Sequence, residues 1–142
     1  MLRFVLDTDT FSLFLRGHSQ VTANVLGRPL AETGTTIITV EEELSGWYTT
    51  LRKAKSPVSL ATAYRRMTET VESLALLKLL TFTESAIARF AILRKQHPRI
   101  GRNDLRIAAI AIDNNVTLVT RNRIDFQAIE GLTIVDWSTQ LL

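Results

Sequence analysis

Phe4-Val5-Leu6-Asp7-Thr8-Asp9-Thr10 is the stretch on which the fold turns. An apolar run stops abruptly at an acid and is followed by hydroxyl and carboxylate side chains. The apolar part reads as a buried strand over residues 3–7, and Thr8-Asp9-Thr10 offers capping oxygens to a short helix through Leu15, which Gly17 ends. A strand passing directly into a helix is the first unit of an α/β protein. In such folds ligands bind beyond the carboxyl ends of the strands, so Asp7 is placed facing a crevice.

Outward from that unit the pattern repeats. Residues 20–28 read as a second short helix, and Thr36–Thr39 as a β-branched strand. Val40 to about Arg52 is helical, with Leu44, Trp47, Tyr48 and Leu51 on one stripe. Ser56-Pro57 opens a long helix whose Leu60, Tyr64, Met67, Val71 and Leu74 form a seam, read as core or a helix-pair interface, with Arg65-Arg66 on the wet side. Leu79–Phe82 reads as a strand. Glu84–Gln96 reads as a helix with Ile87, Phe90, Ala91 and Leu93 inward, and Asn103–Asn114 as another. Thr117–Thr120 and Thr133–Val135 are the last strands. The fold class is therefore α/β: one domain over residues 1–142, with a central parallel sheet of four to five short strands and helices on both faces.

Composition fits this reading. A chain of 142 residues, 46% hydrophobic and 22% charged, can bury a core as one domain. There is no cysteine, which excludes disulfides and zinc–thiolate sites. The opening apolar run is too short for a signal peptide, and no stretch reaches the roughly 18 apolar residues of a membrane span, so a cytoplasmic protein without membrane contact is expected. The net charge is +3, carried by thirteen Arg and only four Lys. Seven of the Arg fall between Arg89 and Asp125. Arginine suits bidentate phosphate contacts, and a basic face beside an acidic pocket suits a phosphodiester substrate.

The acids carry the chemistry. Asp7 ends a strand, Glu42 and Asp104 each open a helix, and Asp125 follows the strand Thr117–Thr120. Two carboxylates about 4 Å apart repel by roughly 4 kcal/mol at an effective dielectric near 20. A divalent cation removes that repulsion, and oxygen-only ligands suit Mg²⁺ or Mn²⁺. Gly46, one helical turn beyond Glu42, suggests that the space above that acid stays open, because glycine in a helix costs about 1 kcal/mol against alanine. Asn103 reads as the N-cap that puts Asp104 in a first turn, where free N–H groups favour its ionised form. Thr120 and Asn122 stand where they can hold a water or a metal ligand, and Asp125 can reach the same place; all three are also ordinary turn residues.

These segments carry a resemblance. Phe4-Val-Leu-Asp-Thr-Asp9, Glu42-Glu-Leu-Ser-Gly46, Asn103-Asp-Leu-Arg-Ile-Ala-Ala109 and Thr120-Arg-Asn-Arg-Ile-Asp-Phe126 resemble the four motifs of PIN domains, in order and across the whole chain. Within these they look like the VapC-type toxins of bacterial toxin–antitoxin pairs, and Ile134-Val-Asp-Trp137 is similar to their usual end. The resemblance implies an Mg²⁺- or Mn²⁺-dependent endoribonuclease, usually a homodimer, held inactive by a cognate antitoxin. It implies that Asp7, Glu42 and Asp104 are catalytic and hold the metal. Many members carry an acid where Asn122 stands, so Asn122 and Asp125 both remain candidates for the fourth position. Thr8, Asp9, Asn103, Thr120 and Asn122 would support these acids, while Arg102, Arg106, Arg121 and Arg123 would clamp the RNA backbone. Phe11, Phe14, Leu15, Trp47, Tyr48 and Leu51 offer a groove for an amphipathic antitoxin helix.

Two other readings compete. Asp7-Thr8-Asp9-Thr10 also fits the aspartyl-phosphate motif of HAD-like phosphatases, with Asp7 as nucleophile and Asp9 as general acid/base. That chemistry assigns no role to Glu42 or Asp104 and lacks a late acidic pair. The third reading is a non-catalytic PIN scaffold that binds RNA or a partner, against which the three intact acids count.

Overall fold

The computed structural model describes residues 1–139. Its elements in chain order are β1 (Phe4–Leu6), α1 (Thr8–Leu15), α2 (Ser19–Leu26), a 3-10 turn (Leu30–Glu32), β2 (Thr33–Thr36), α3 (Ile37–Lys53), α4 (Pro57–Leu76), β3 (Lys78–Leu80), α5 (Glu84–Gln96), α6 (Arg102–Asp113), β4 (Thr117–Val119), the single turn α7 (Arg123–Phe126) and β5 (Ile134–Val135). The five strands form one sheet in the order β3-β2-β1-β4-β5, and every pairing is parallel. This is the expected architecture.

The chain winds outward from β1 through β2 to β3, then crosses to β4 and β5 on the other side. The strand order therefore reverses between β1 and β4, and a crevice opens there beyond the carboxyl ends. Leu6 lies in register with both Thr35 and Val119, so the ends of β1, β2 and β4 are level.

Successive strand residues serve opposite faces. Val5 and Leu118 pack with Leu105, Ile107 and Ile110 of α6 and with Ala86 and Leu93 of α5. Leu6 and Val119 pack with Phe11, Leu13, Val21 and Val25 of α1 and α2, and with Trp137. Ala108, Ala109 and Ala111 are fully buried, as a helix lying close on the sheet requires.

Four expectations need correction. The second strand lies three residues earlier than Thr36–Thr39, and includes Gly34. A Cβ at Gly34 would stand 2.5 Å from the Lys78 carbonyl oxygen, so close strand approach, not a turn, explains that glycine. Thr36 caps α3 through a bond from the Thr39 N–H, so α3 begins at Ile37 and Glu42 sits in its second turn rather than opening it. In α4, Leu60, Tyr64 and Val71 face solvent, while Ala63 and Thr70 are the buried positions. In α5, Ile87 and Ala91 are exposed, and Ala86 and Leu93 point inward with Phe90 half-buried. In α4 small and polar residues take the buried positions, with Leu74 packed against the core, while in α5 the inward side is shared by Ala86, Leu93 and Phe90.

Candidate functional site

Asp7 is the hinge between β1 and α1. It is 5% exposed, and its Oδ1 accepts the Thr10 N–H at 2.8 Å, which makes Asp7 itself the N-cap of α1. The capping role expected of Thr8-Asp9-Thr10 thus belongs to the acid before them. Burial pushes its carboxyl above the ordinary value; the Thr120 side chain and the Thr10 N–H oppose that, and the charge of Asp9 adds to it.

Glu42 projects from α3 toward α1, where the Thr8 hydroxyl donates to its Oε1 at 2.8 Å. The same hydroxyl lies 3.0 Å from that of Thr39. One turn on, Ser12 donates to Glu43 at 2.6 Å, so two parallel bonds join the helices. Gly46 has nothing within 4 Å of where a Cβ would be, so the space there is open and packing does not require glycine.

Asp104 is the third residue of α6, whose N-cap is Gly101 and not Asn103. Asn103 lies inside the helix and accepts a bond from Arg106 Nη1 at 2.8 Å. Asp104 is pushed up to about 6, first by desolvation and then by the charges of Asp7, Glu42 and Asp125. The helix N-terminus was expected to favour the ionised form; burial among like charges outweighs it.

The structure brings most of the expected residues together. A crevice of about 560 Å³ is lined by Asp7, Thr8, Asp9, Glu42, Asp104, Arg121, Asn122 and Phe126. A second hollow continues from Glu42 and Asp104 past Gly101, Arg102, Asn103 and Arg106. The two shared acids therefore stand between Arg121 on one side and Arg102 and Arg106 on the other. Thr120 lies buried beneath, its Oγ1 accepting the Asn122 N–H at 3.0 Å. Arg123 is exposed on α7 and lines neither hollow. Asp125 does not line the crevice either. It accepts from Asn122 Nδ2 at 3.0 Å and faces a separate hollow with Gln96 and Arg99, although its charge reaches Asp104. Of the two candidates for the fourth position, Asn122 is the one in the crevice.

Among the described residues, no three of the His, Asp and Glu side chains stand close enough to enclose an ion between them. The acids share a crevice without forming a closed cage.

Sequence reasoning missed the Asp9–Arg121 pair. Arg121 Nε and Nη2 donate to Asp9 Oδ2 and Oδ1 at 2.7 and 2.9 Å. Those bonds hold Asp9 below the usual carboxylate value, with the charges of Arg121 and Arg16 assisting against burial. Such a carboxylate is poorly suited to donate a proton, which counts against the phosphatase reading. The partners are 112 residues apart, and only the pairing of β1 with β4 brings them together.

A separate groove, about 440 Å³, opens between α1, α3 and α4 and is lined by Ser12, Leu15, Arg16, Glu43, Trp47, Arg65, Arg66 and Glu69. Of the six residues expected there, Leu15 and Trp47 line it. Phe11 is core, and Tyr48 is 48% exposed outside it. Trp47 Nε1 donates to the buried Thr70 of α4 at 2.9 Å, which fixes the indole in the groove wall. Arg65 and Arg66, expected on the wet side, are exposed at its rim.

Neither a protein-family model nor a curated protein sequence matches the chain. Solved structures do. The chain is similar to one in the DNA-bound VapBC structure from Salmonella typhimurium, with a TM-score of 0.80 and 23% identity over 96% of this chain and 99% of that one. It is similar to a chain of VapBC2 from Rickettsia felis, bound to a DNA fragment of its promoter, with a TM-score of 0.76 and 24% identity over 96% and 99%. A chain of FitAcB from Neisseria gonorrhoeae gives 0.73 and 25% over 94% and 96%. With the parallel five-stranded sheet and near-complete coverage both ways, the fold of this chain is the PIN-domain fold found in VapBC toxin–antitoxin complexes.

Proposed function

We propose that this chain is a divalent-metal-dependent endoribonuclease, the toxin of a bacterial toxin–antitoxin pair. One observation carries the reading. Asp7, Glu42 and Asp104 face a single crevice at the reversal point of the sheet, and Asp104 is pushed up to about 6 in part by the other two. Repelling carboxylates held together by a fold ask for a cation.

The donor set fits Mg²⁺ or Mn²⁺: it is all oxygen, anionic and open to water. Asp7, Asp104 and Glu42 would hold the ion. Because they do not form a closed cage, part of its shell would be water, as Mg²⁺ prefers. A bound ion of this kind lowers the pKa of water and stabilises charge on a phosphate. The chain's own residues do the rest. The Thr10 N–H fixes the Asp7 carboxylate, and the Thr8 hydroxyl fixes Glu42. Arg121, Arg102 and Arg106 flank the acids and can contact phosphates on either side. Hydrolysis by an activated water needs no 2′-hydroxyl and leaves a 5′-phosphate.

The partner reading rests on two surfaces. The groove between α1, α3 and α4 mixes Leu15 and Trp47 with three arginines and two glutamates, which suits an amphipathic antitoxin helix. The solvent-facing Leu60, Tyr64 and Val71 of α4 form an apolar strip that supports a homodimer. The similar structures include a toxin–antitoxin complex from Klebsiella pneumoniae and a member of the VapBC family of toxin–antitoxin systems from Mycobacterium tuberculosis, and an antitoxin partner comes to this chain by that likeness.

Sequencing the 5′ ends of cellular RNA after brief induction tests the activity. The expected result is new 5′-phosphate ends within RNA chains, lost in Asp104→Asn. Ends bearing a 5′-hydroxyl would rule out hydrolysis of this type.

A further inference from the structure

At the mouth of the crevice Asp9 and Arg121 close on each other in a two-bond, side-on pair, with contacts of 2.7 and 2.9 Å. The other two ion pairs among the described residues are single contacts at 3.6 and 3.7 Å. Both side chains of the pair are about half exposed, 49% for Asp9 and 46% for Arg121, so the contact adds little to stability. It is nevertheless the best-formed ion pair among the described residues, and it lines the same crevice as the three acids.

We propose that Asp9 is a positioning residue: it holds Arg121 side-on at the crevice rim, so that the opposite edge of the guanidinium receives a phosphate of the nucleic-acid strand. This deepens the nuclease reading above and rests on it. A guanidinium has five N–H donors in a rigid fork. Asp9 engages Nε and Nη2, which leaves both hydrogens of Nη1 and one of Nη2 for a second oxyanion.

Asp9 also keeps that cation out of the crevice floor. The other carboxylates whose charges act on Arg121 are Asp136 and Asp7. Asp136 is already bonded by the Ser138 N–H and hydroxyl at 2.8 and 2.6 Å. Freed from Asp9, the guanidinium is drawn toward Asp7 and competes there with a metal ion. The pair therefore separates two positive charges: arginine at the rim for substrate and the metal within.

The test is a double-mutant cycle on the full chain. RNA cleavage is measured against Mg²⁺ and RNA concentration for wild type, Asp9→Ala, Arg121→Ala and the double variant, with a melting curve for each. Asp9→Ala should raise KM about tenfold, the loss of an oriented charge-assisted contact, and should raise the Mg²⁺ needed for half activity. Arg121→Ala should raise KM similarly without raising the Mg²⁺ requirement. The double variant should match Arg121→Ala, because Asp9 acts only through the arginine. Asp9→Asn, which keeps one acceptor, should fall between wild type and Asp9→Ala. An equal fall in kcat on removing Asp9, with or without Arg121, would overturn the proposal and make Asp9 a direct participant. Unchanged KM and Mg²⁺ requirement in Asp9→Ala would overturn it too. A wild type that cleaves while the two effects add independently ends this proposal alone; a wild type that cleaves no RNA ends the nuclease reading with it.

Discussion

Asp104 shows how a single carboxyl reports the site. Its folded value of about 6 lies above the ordinary 3.8, so between those pH values the folded protein binds more protons than the unfolded chain. Stability therefore falls as pH rises from about 4 to 6 and stays reduced above that. The raised Asp7 carboxyl acts in the same direction. Asp104→Asn should melt higher than wild type at pH 7 in EDTA, by about 3 °C, taking roughly 1 kcal/mol after discounting for solvent. The gain should vanish near pH 4, and Mg²⁺ should stabilise wild type more than the variant. Lower melting of the variant in EDTA would make Asp104 a structural first-turn acid. At this scale the sequence was informative about which acids share the crevice and less so about their local bonds. Asp7-Thr8-Asp9-Thr10 holds four capping candidates in a row, and only the extended backbone at Asp7, with φ −72 and ψ 174, selects the first. Asp125 and Asn122 read alike as turn residues, and their mutual bonds, which turn the acid away from the crevice, depend on the single turn of α7.

The elements followed from periodicity wherever one face is buried on the sheet. The α6 run Leu105 to Ala111 is legible for that reason, and so is the alternation of Val5 and Leu6. Periodicity failed for α4, where Leu60, Tyr64 and Val71 face outward and Ala63 and Thr70 take the buried positions, and half-succeeded for α5, where Leu93 and Phe90 pack inward but Ile87 and Ala91 do not. A stripe of leucine and tyrosine marks an interface but does not say whether its partner lies in the same chain. The second strand was displaced because Thr36–Thr39 is the β-branched run, whereas the strand is Thr33–Thr36 and its Gly34 meets the Lys78 carbonyl. Gly34→Ala should thus push β3 from β2 and lose about 2 kcal/mol, seen as a shift in the urea midpoint. A midpoint at or above that of wild type would mean that the sheet edge yields freely and that close approach is not the reason for the glycine.

For the whole molecule, the decisive fact is the reversal of strand order between β1 and β4. It sets Asp7 beside Thr120 and Arg121, brings Glu42 in from α3 and Asp104 from α6, and leaves arginines at both ends of the trough. A parallel α/β sheet could be read from alternating strands and helices, but its order could not, since that depends on which way each crossover turns. Long-range contacts such as Asp9–Arg121 were hidden for the same reason. The account stands on the crevice acids acting as a cation site for phosphodiester hydrolysis. Its most direct test is cleavage of RNA by the purified chain with Mg²⁺ or Mn²⁺, with EDTA, and by Asp7→Asn. The account predicts cleavage with metal, none with EDTA, and none by the variant under any condition although it remains folded. Full activity in EDTA, or in Asp7→Asn, would contradict it.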